Sequence, residues 1–551
     1  MVVPEPRGWR AAKPRLTGLA RAAGPRLARL TQTARPRLAR AVRPRLARAA
    51  RSVTPRIARL TTAAGPRPAR PRPWQSPAPA ATAGLALAAG VVTAAGPWDS
   101  SGQRTAERDR AAALERAGGA DHGRGSDTSA PSGTAADGLR PAPSAPPVLV
   151  GPGRSGRQAN PAAGAPALAG VLAPLLRDPA LGGRHSAVVL DLTTGRRLYG
   201  QDADAAFTPA STTKIATATA ALSALGPDHR FTTRAALEPG TAGLVLIGGG
   251  DPTLTARAQP RGWASLRTLA DRTAAALTER GLKEVTLSDD TSLYAGPDLH
   301  PIGVNDNLAR VTALMADEAR TDGSGSGPAP RAADPAAAAA RAFAGFLRDH
   351  GIRTGAPAPA KATGRAQTLA SVSSPPLSDV VERMLTNSDN DIAEALARQT
   401  AAATGERPDF AGGARAIADR LARLGLPLTG AAFHDGSGLD RSDKLTADLL
   451  TALLREAADP AHPGLRPILT GLPVAGFTGT LADRYSGDGA AGIVRAKTGT
   501  LTGVNTLAGT AVDRDGRLLA FAFLAEDTTD PQAAQSALDR AATALAGCGC
   551  R

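Results

Sequence analysis

Apolar residues follow three different patterns along this 551-residue chain. Up to about residue 60 they stand singly between arginines, from Ala80 to Gly96 they form an unbroken run, and from about residue 166 they alternate and recur as in a folded domain. The folded pattern opens at "ALAGVLAPLL". Next, "SAVVLDLTTGRRLYG" predicts two strands joined by a Thr-Gly turn, and "GLVLIGGG" and "VTLSDD" predict two more. Helical spacing follows Ser211, near 335 to 350, from 378 to 402 and from 411 to 424. Late strands are predicted at "GIVRAKTGT", "TLAGTAV" and "LLAFAFLA", and Ala- or Gly-rich interruptions near 322 to 340 and 356 to 366 read as surface loops. Helices and strands are intermixed without a solenoid repeat, which gives an α/β or α+β class.

Composition divides the chain further. Gly 60 and Pro 45 are too many for one uniform globule. Of the 65 basic residues, 19 lie before residue 73 against one acid, Glu5, so the net charge of +16 belongs to the N-terminal tail and the remainder is close to neutral. Residues 14 to 60 repeat "PRLTGLA", "PRLARLT", "PRLARAV", "PRLARAA" and "PRIARLT", and prolines at this spacing block a long helix. Residues 1–72 therefore read as a basic disordered tail. No aromatic side chains are interleaved for base stacking, so nucleic acid is not the expected partner.

From Pro73 to Trp98 no residue is charged, and the 17 residues from Ala80 would make a helix of about 26 Å, enough to approach the width of a bilayer core. Tryptophans 74 and 98 flank it, with Arg67, Arg70 and Arg72 before it and Asp99 after it. The charge asymmetry predicts a single-pass membrane anchor at 73–98, its N-terminus cytoplasmic and the rest of the chain extracellular. A cleaved signal peptide is the alternative, but its basic leader would exceed seventy residues. The basic tail would then rest on anionic lipid at ~1 kcal/mol per residue near the surface. Residues 99–165 read as a disordered linker, with a short helix at 103 to 117. Cys548 and Cys550 are too close for a bridge to be the default, and the C-terminus reads as loose.

The candidate chemistry begins with a rare residue. Lysine occurs at six positions only, and one of them, Lys214, stands three residues after Ser211 in "ASTTKIATATAALSAL". On a helix these two share a face, and a desolvated lysine amine can take a proton where a guanidinium cannot. Taken alone, S-x-x-K is also an ordinary helix start with a capping serine. Two further motifs follow in order: "SDN" at Ser388 to Asn390 and "KTG" at Lys497 to Gly499. Together they form a nucleophile, a hydrogen-bonding Ser/Asn pair and a cation, the signature shared by serine β-lactamases and penicillin-binding proteins.

With "GGGDPTL" at 248 to 254, "SPPLSDVVERML" at 374 to 385, "DGSGLDR" at 435 to 441 and "GLPVAGFTGTLADR" at 471 to 484, residues 166–547 resemble the class C penicillin-binding proteins. These are the D-alanyl-D-alanine carboxypeptidases/endopeptidases of peptidase family S13, and the Ala- and Arg-rich style is similar to actinobacterial members. The resemblance implies a transpeptidase-like, serine β-lactamase-like fold: an antiparallel sheet flanked by helices, a helical subdomain and an inserted β-rich domain at about 240–372. It implies Ser211 as nucleophile and Lys214 as base. Ser388 and Asn390 would relay protons and orient the peptide, and Lys497 and Thr498 would receive the terminal carboxylate beside Gly499. The backbone N–H groups of Ser211 and Thr500 would form the oxyanion hole. The implied substrate is a peptidoglycan stem peptide, with β-lactams as inhibitors and no metal or cofactor.

Two rival functions follow from the same residues. A β-lactamase would use the same motifs, but no E-x-x-L-N stretch lies between Asn390 and Lys497, so rapid β-lactam turnover is not expected. A catalytically idle cell-wall binding protein would not need three intact motifs. "GGGDPTL" lacks the G-K-[ST] ending of a phosphate loop and reads as a strand-to-turn element, and the Asp435–Leu439 stretch reads as a structural turn near the site. The seven histidines show no ligand spacing.

Overall fold

The computed structural model describes residues 164–485 and 489–549. The basic tail, the apolar run at 73–98, the helix at 103 to 117 and the linker up to residue 163 lie outside them. Among the described residues no helix is long and apolar enough to cross a membrane.

One antiparallel sheet is built from β1 (Arg184–Asp191), β2 (Arg197–Gln201), β9 (Val494–Leu501), β10 (Val504–Val512) and β11 (Leu518–Glu526), in the order β2-β1-β11-β10-β9. The run "LLAFAFLA" is apolar at every position because β11 is covered on both faces. Leu519, Phe521, Phe523 and Ala525 face α1 (Gly164–Leu176) and α10 (Pro531–Ala546). Ala520, Ala522 and Leu524 face a helical layer of α2 (Thr213–Leu225), α5 (Leu377–Asn387), α6 (Asn390–Thr404), α7 (Phe410–Arg423) and α8 (Ala447–Ala458). A short α9 (Pro467–Thr470) completes that layer through Ile468. Helix α2 is buried at every residue from Thr213 to Leu222, which explains its small side chains.

A second, mixed sheet lies between Thr232 and Ser373, in the region where the sequence pointed to an insertion. Its order is β6 (Arg353–Thr354), β5 (Glu284–Asp290), β4 (Gly243–Ile247), β3 (Thr232–Leu237) and β8 (Gln367–Ser373), with β7 (Ala358–Pro359) also on β5. The pair β4 and β5 is parallel and is bridged by α3 (Leu266–Glu279). Helix α4 (Pro335–Asp349) packs Phe343 and Leu347 against Leu269 and Leu277 of α3 and Val285 of β5. The "GGG" after β4 works as a turn: Gly250 has φ +69°, and a Cβ on Gly249 would stand 2.1 Å from the Thr232 carbonyl oxygen.

Three readings of the sequence need correction. The helix expected from 378 to 402 is two helices, broken where Ser388 adopts φ +56°, ψ +44° and Asp389 caps α6 by accepting from the Ile392 N–H. The interruption expected near 322 to 340 is shorter and stops at residue 334, because Asp334 caps α4 and Pro335 opens it. The C-terminus is not loose up to residue 548: Cys548 is buried with the α10 face of the sheet and is disulfide-bonded. The amphipathic helices α3, α8 and α10 carry no motif and went unassigned.

Phe343→Ala should remove about 3 to 5 kcal/mol from the inserted sheet's core. Chemical denaturation followed by circular dichroism would show this as a lowered midpoint.

Candidate active site

Ser211 does not cap α2. It sits in a preceding 3₁₀ turn, Ala210–Thr212, and Thr212 occupies the N-cap without a side-chain cap bond. The turn is tightly fixed. Ala210 has φ +48°, a left-handed conformation that non-glycine residues seldom adopt. The Pro209 carbonyl accepts from Thr212 Oγ1 at 2.7 Å and from Thr506 Oγ1 on β10 at 2.9 Å. A Cβ on Gly499 would lie 2.1 Å from Thr506 Oγ1 and 2.7 Å from the Pro209 carbonyl oxygen, so the glycine of "KTG" is what lets β9 close on the serine turn.

The serine and lysine do meet. Lys214 Nζ donates to Ser211 Oγ at 2.9 Å, to Asn390 Oδ1 at 2.6 Å and to the Ser437 carbonyl at 2.7 Å. The break between α5 and α6 places the other motif residues. It turns Ser388 toward β9, where Ser388 Oγ accepts from Lys497 Nζ at 2.8 Å, and it starts α6 at Asn390. Asn390 Nδ2 donates to the Asn307 carbonyl of the inserted segment at 2.9 Å, which fixes the amide oxygen toward Lys214. Lys497 Nζ also donates to the Thr498 carbonyl at 2.7 Å, and Thr498 Oγ1 donates to Thr480 Oγ1 at 3.0 Å. Strand β9 is an edge strand, so alternate backbone N–H groups there lack a strand partner, and Thr500 is exposed beside them.

Burial dominates the electrostatics. Lys214 and Lys497 both have 0% exposure. Burial brings the Lys214 ammonium down from 10.5 to about 8, against the opposing pull of Asp435, Glu394, Asp389 and Asp391. Lys497 is pushed well below the ordinary lysine value by burial, then by Lys214 and Arg484. Its amine is turned inward on Ser388, whereas Thr498 is half-buried and Thr500 is exposed.

Two buried neighbours of the site, His300 and Glu394, escaped the motif reading. The Asp435 turn is near the site, as expected, and it supplies the Ser437 carbonyl that holds Lys214. Asp435 accepts from the N–H groups of Ser437, Gly438 and Asp440 at 3.0, 2.6 and 2.7 Å. His300, from the inserted segment, accepts from the Ile302 N–H at Nδ1, which leaves Nε2–H to donate to Asp435 Oδ2 at 3.1 Å. Glu394 Oε1 accepts from the N–H groups of Gly436 and Ser437 at 3.0 and 2.8 Å. A signal for Glu394 was present: it follows Asn390 by four residues and so shares its face of α6. His300 had none, because it arrives from a loop distant in sequence.

Among the described residues, two buried groups bring metal-ligand atom types within 4.8 Å, His300 with Glu394 and Asp435, and Glu318 with Asp389 and Asp391. Most of these atoms are already answered by protein donors. Asp435 is saturated as above, Arg320 Nε lies 2.6 Å from Glu318 Oε2, and Arg331 Nη1 lies 2.8 Å from Asp391 Oδ2.

Known proteins are similar to this chain in sequence and in fold. The chain matches the D-Ala-D-Ala carboxypeptidase 3 (S13) family over residues 168–324 and 320–545. It is 35% identical over 444 residues to carboxypeptidase DacB of Mycolicibacterium smegmatis, covering 75% of this chain and 91% of that one. It is 36% identical over 408 residues to a carboxypeptidase of Mycobacterium tuberculosis, covering 70% and 86%. The fold is similar to the crystal structure of penicillin binding protein 4 from Haemophilus influenzae, with a TM-score of 0.57 at 22% identity, over 67% of this chain and 97% of that one. With the motif serine, both lysines and the Ser/Asn pair inside the matched residues, the chain belongs to the D-Ala-D-Ala carboxypeptidase 3 (S13) family.

Proposed function

We propose that the protein is a serine D-alanyl-D-alanine carboxypeptidase/endopeptidase that cleaves peptidoglycan stem peptides through an acyl-enzyme on Ser211, and that penicillins acylate the same oxygen. The carrying observation is the 2.9 Å contact between Lys214 Nζ and Ser211 Oγ at a fully buried amine. Buried there, the amine reaches its neutral form near physiological pH, as a general base requires.

The steps follow from the geometry. Ser211 Oγ attacks the carbonyl carbon of the penultimate D-alanine and passes its proton to Lys214 Nζ. Negative charge gathers on the carbonyl oxygen, where the N–H groups of Ser211 and Thr500 stabilise it, each by about 3 to 4 kcal/mol. The C–N bond breaks, and the departing amine takes up the proton that Lys214 received, relayed through Ser388 Oγ, which Lys497 Nζ holds at 2.8 Å. Asn390 orients the peptide, and Thr498 and Thr500 bind the terminal carboxylate with Lys497 behind them. Water then attacks the ester carbonyl, the acyl–oxygen bond breaks and Ser211 regains its proton. No metal or cofactor takes part in these steps. The same acyl-enzyme serves for carboxypeptidase and endopeptidase cleavage, which differ only in the leaving amine.

An extracellular substrate fits an extracellular catalytic domain. The uncharged run at 73–98 and the arginines before it support a single-pass cell-membrane anchor. Deleting residues 73–98 should move the protein from the membrane fraction to the soluble fraction.

Ser211→Ala should abolish covalent labelling by fluorescent penicillin, with the wild-type label mapping to Ser211 by mass spectrometry. Label elsewhere, or undiminished label on the variant, would defeat the mechanism. Lys214→Arg keeps the charge but removes the base, so acylation should slow by about 10² to 10⁴-fold. Because the neutral amine is the active form, the wild-type acylation rate should rise with pH and level off above about 8. Below that midpoint it should fall about tenfold per pH unit.

A further inference from the structure

Glu394 is a fully buried carboxylate near the site that the mechanism above does not use. It has 0% exposure, and its second oxygen, Oε2, is buried with no hydrogen-bond partner among the described residues. An unpaired buried carboxylate oxygen is costly. Its first oxygen receives two backbone N–H groups, those of Gly436 and Ser437, and Ser437 is the residue whose carbonyl accepts from Lys214 Nζ. Glu394 thus grips the peptide units that aim this carbonyl. Nothing in that grip requires a charge, since a glutamine oxygen would accept the same two bonds.

We propose that Glu394 is a positioning residue whose negative charge sets the pH range in which Lys214 is a base. This rests on Lys214 being the base, as argued under Proposed function. Two opposed influences act on the amine. Burial favours the neutral form, and the carboxylates beneath it favour the ammonium. The charged and titratable groups around this point are Asp389 at the cap of α6, Asp391 and Arg398 on α6, Asp435 on the turn, Asp440 and Asp443 after it, His300 from the inserted segment and Lys497 on β9.

These groups are not equivalent. Asp435 is held low, against burial, by His300 and the backbone donors of Gly438 and Asp440, so it stays charged and constant. Asp391 pairs with Arg331 at 2.8 Å. Glu394 is pushed up by burial and then by the Asp435 charge, as Asp443 and Asp391 are pushed up by burial and neighbouring carboxylates, but Glu394 is the one that holds the Ser437 N–H beside the carbonyl bonded to Lys214. As Glu394 ionises, the amine binds its proton more tightly. The active site therefore moderates its own base.

The test compares pH profiles of penicillin acylation for the full-length wild type, Glu394→Gln and Glu394→Asp. Glutamine keeps the two backbone bonds and removes the charge, so the midpoint should move about one pH unit lower. At pH 7 this variant should retain a several-fold larger share of its own plateau rate than the wild type. Aspartate keeps the charge, and its midpoint should stay with the wild type even if its plateau falls. A purely structural Glu394 would change plateaus and leave all midpoints together, and that result overturns the proposal. Should Glu394→Gln fail to fold, Glu394→Ala removes the same charge, so its midpoint should also fall, and an unmoved midpoint in that variant overturns the proposal. A wild-type profile with no limb near pH 8 would instead refute Lys214 as base. A normal wild-type limb that Glu394→Gln does not lower refutes this proposal alone.

Discussion

Placing an ammonium group inside a packed core costs several kcal/mol unless charge partners or loss of the proton relieve it. Lys214 is in that position, on a helix buried along its first three turns, and much of the surrounding structure responds to it. Three oxygens converge on its amine, from Ser211, Asn390 and Ser437. Each comes from a different element: the serine turn before α2, the start of α6 and the turn after Asp435. Partial relief through these bonds and partial relief through a lowered proton affinity leave the amine balanced between its two forms. A nucleophile's base needs that balance.

The backbone has unfavourable conformations where this convergence demands them. Ala210 and Ser388 both sit at positive φ without being glycine, one beside the nucleophile and the other at the break that separates α5 from α6. Such positions persist only when neighbours over-determine them. Here the neighbours are the Pro209 carbonyl held by Thr212 and Thr506, Gly499 admitting β9, and Gly438, where a Cβ would stand 1.9 Å from the Ala210 carbonyl oxygen. The inserted sheet takes part as well, since His300 and the Asn307 carbonyl bind the Asp435 turn and Asn390 from behind.

Much of this was legible in the sequence, for identifiable reasons. The late strands were readable because a sheet covered on both faces leaves continuous apolar runs, and the three motifs were readable because their spacing and order are rarely met together. The helix break at Ser388 was not, since "MLTNSDNDIAEALA" keeps helical periodicity across it and only tertiary contacts with β9 favour the left-handed serine. The bland reading of Ser211 as a helix cap failed for a similar reason: the 3₁₀ turn is set by Pro209 and β10, both outside the local pattern. His300 could not be found from spacing, because its partner Asp435 lies 135 residues away. The bridged, buried Cys548 was hidden by the usual looseness of chain ends.

Direct titration of Lys214 puts the central claim to the plainest test. With six lysines in the chain, selective ¹³Cε-lysine labelling gives few NMR signals, and a Lys214→Arg variant identifies the one that belongs to Lys214. That signal should titrate near pH 8, below the ordinary lysine value of 10.5. A midpoint at the ordinary 10.5 would mean the amine remains an ammonium at neutral pH, and the account of Ser211 activation would fail.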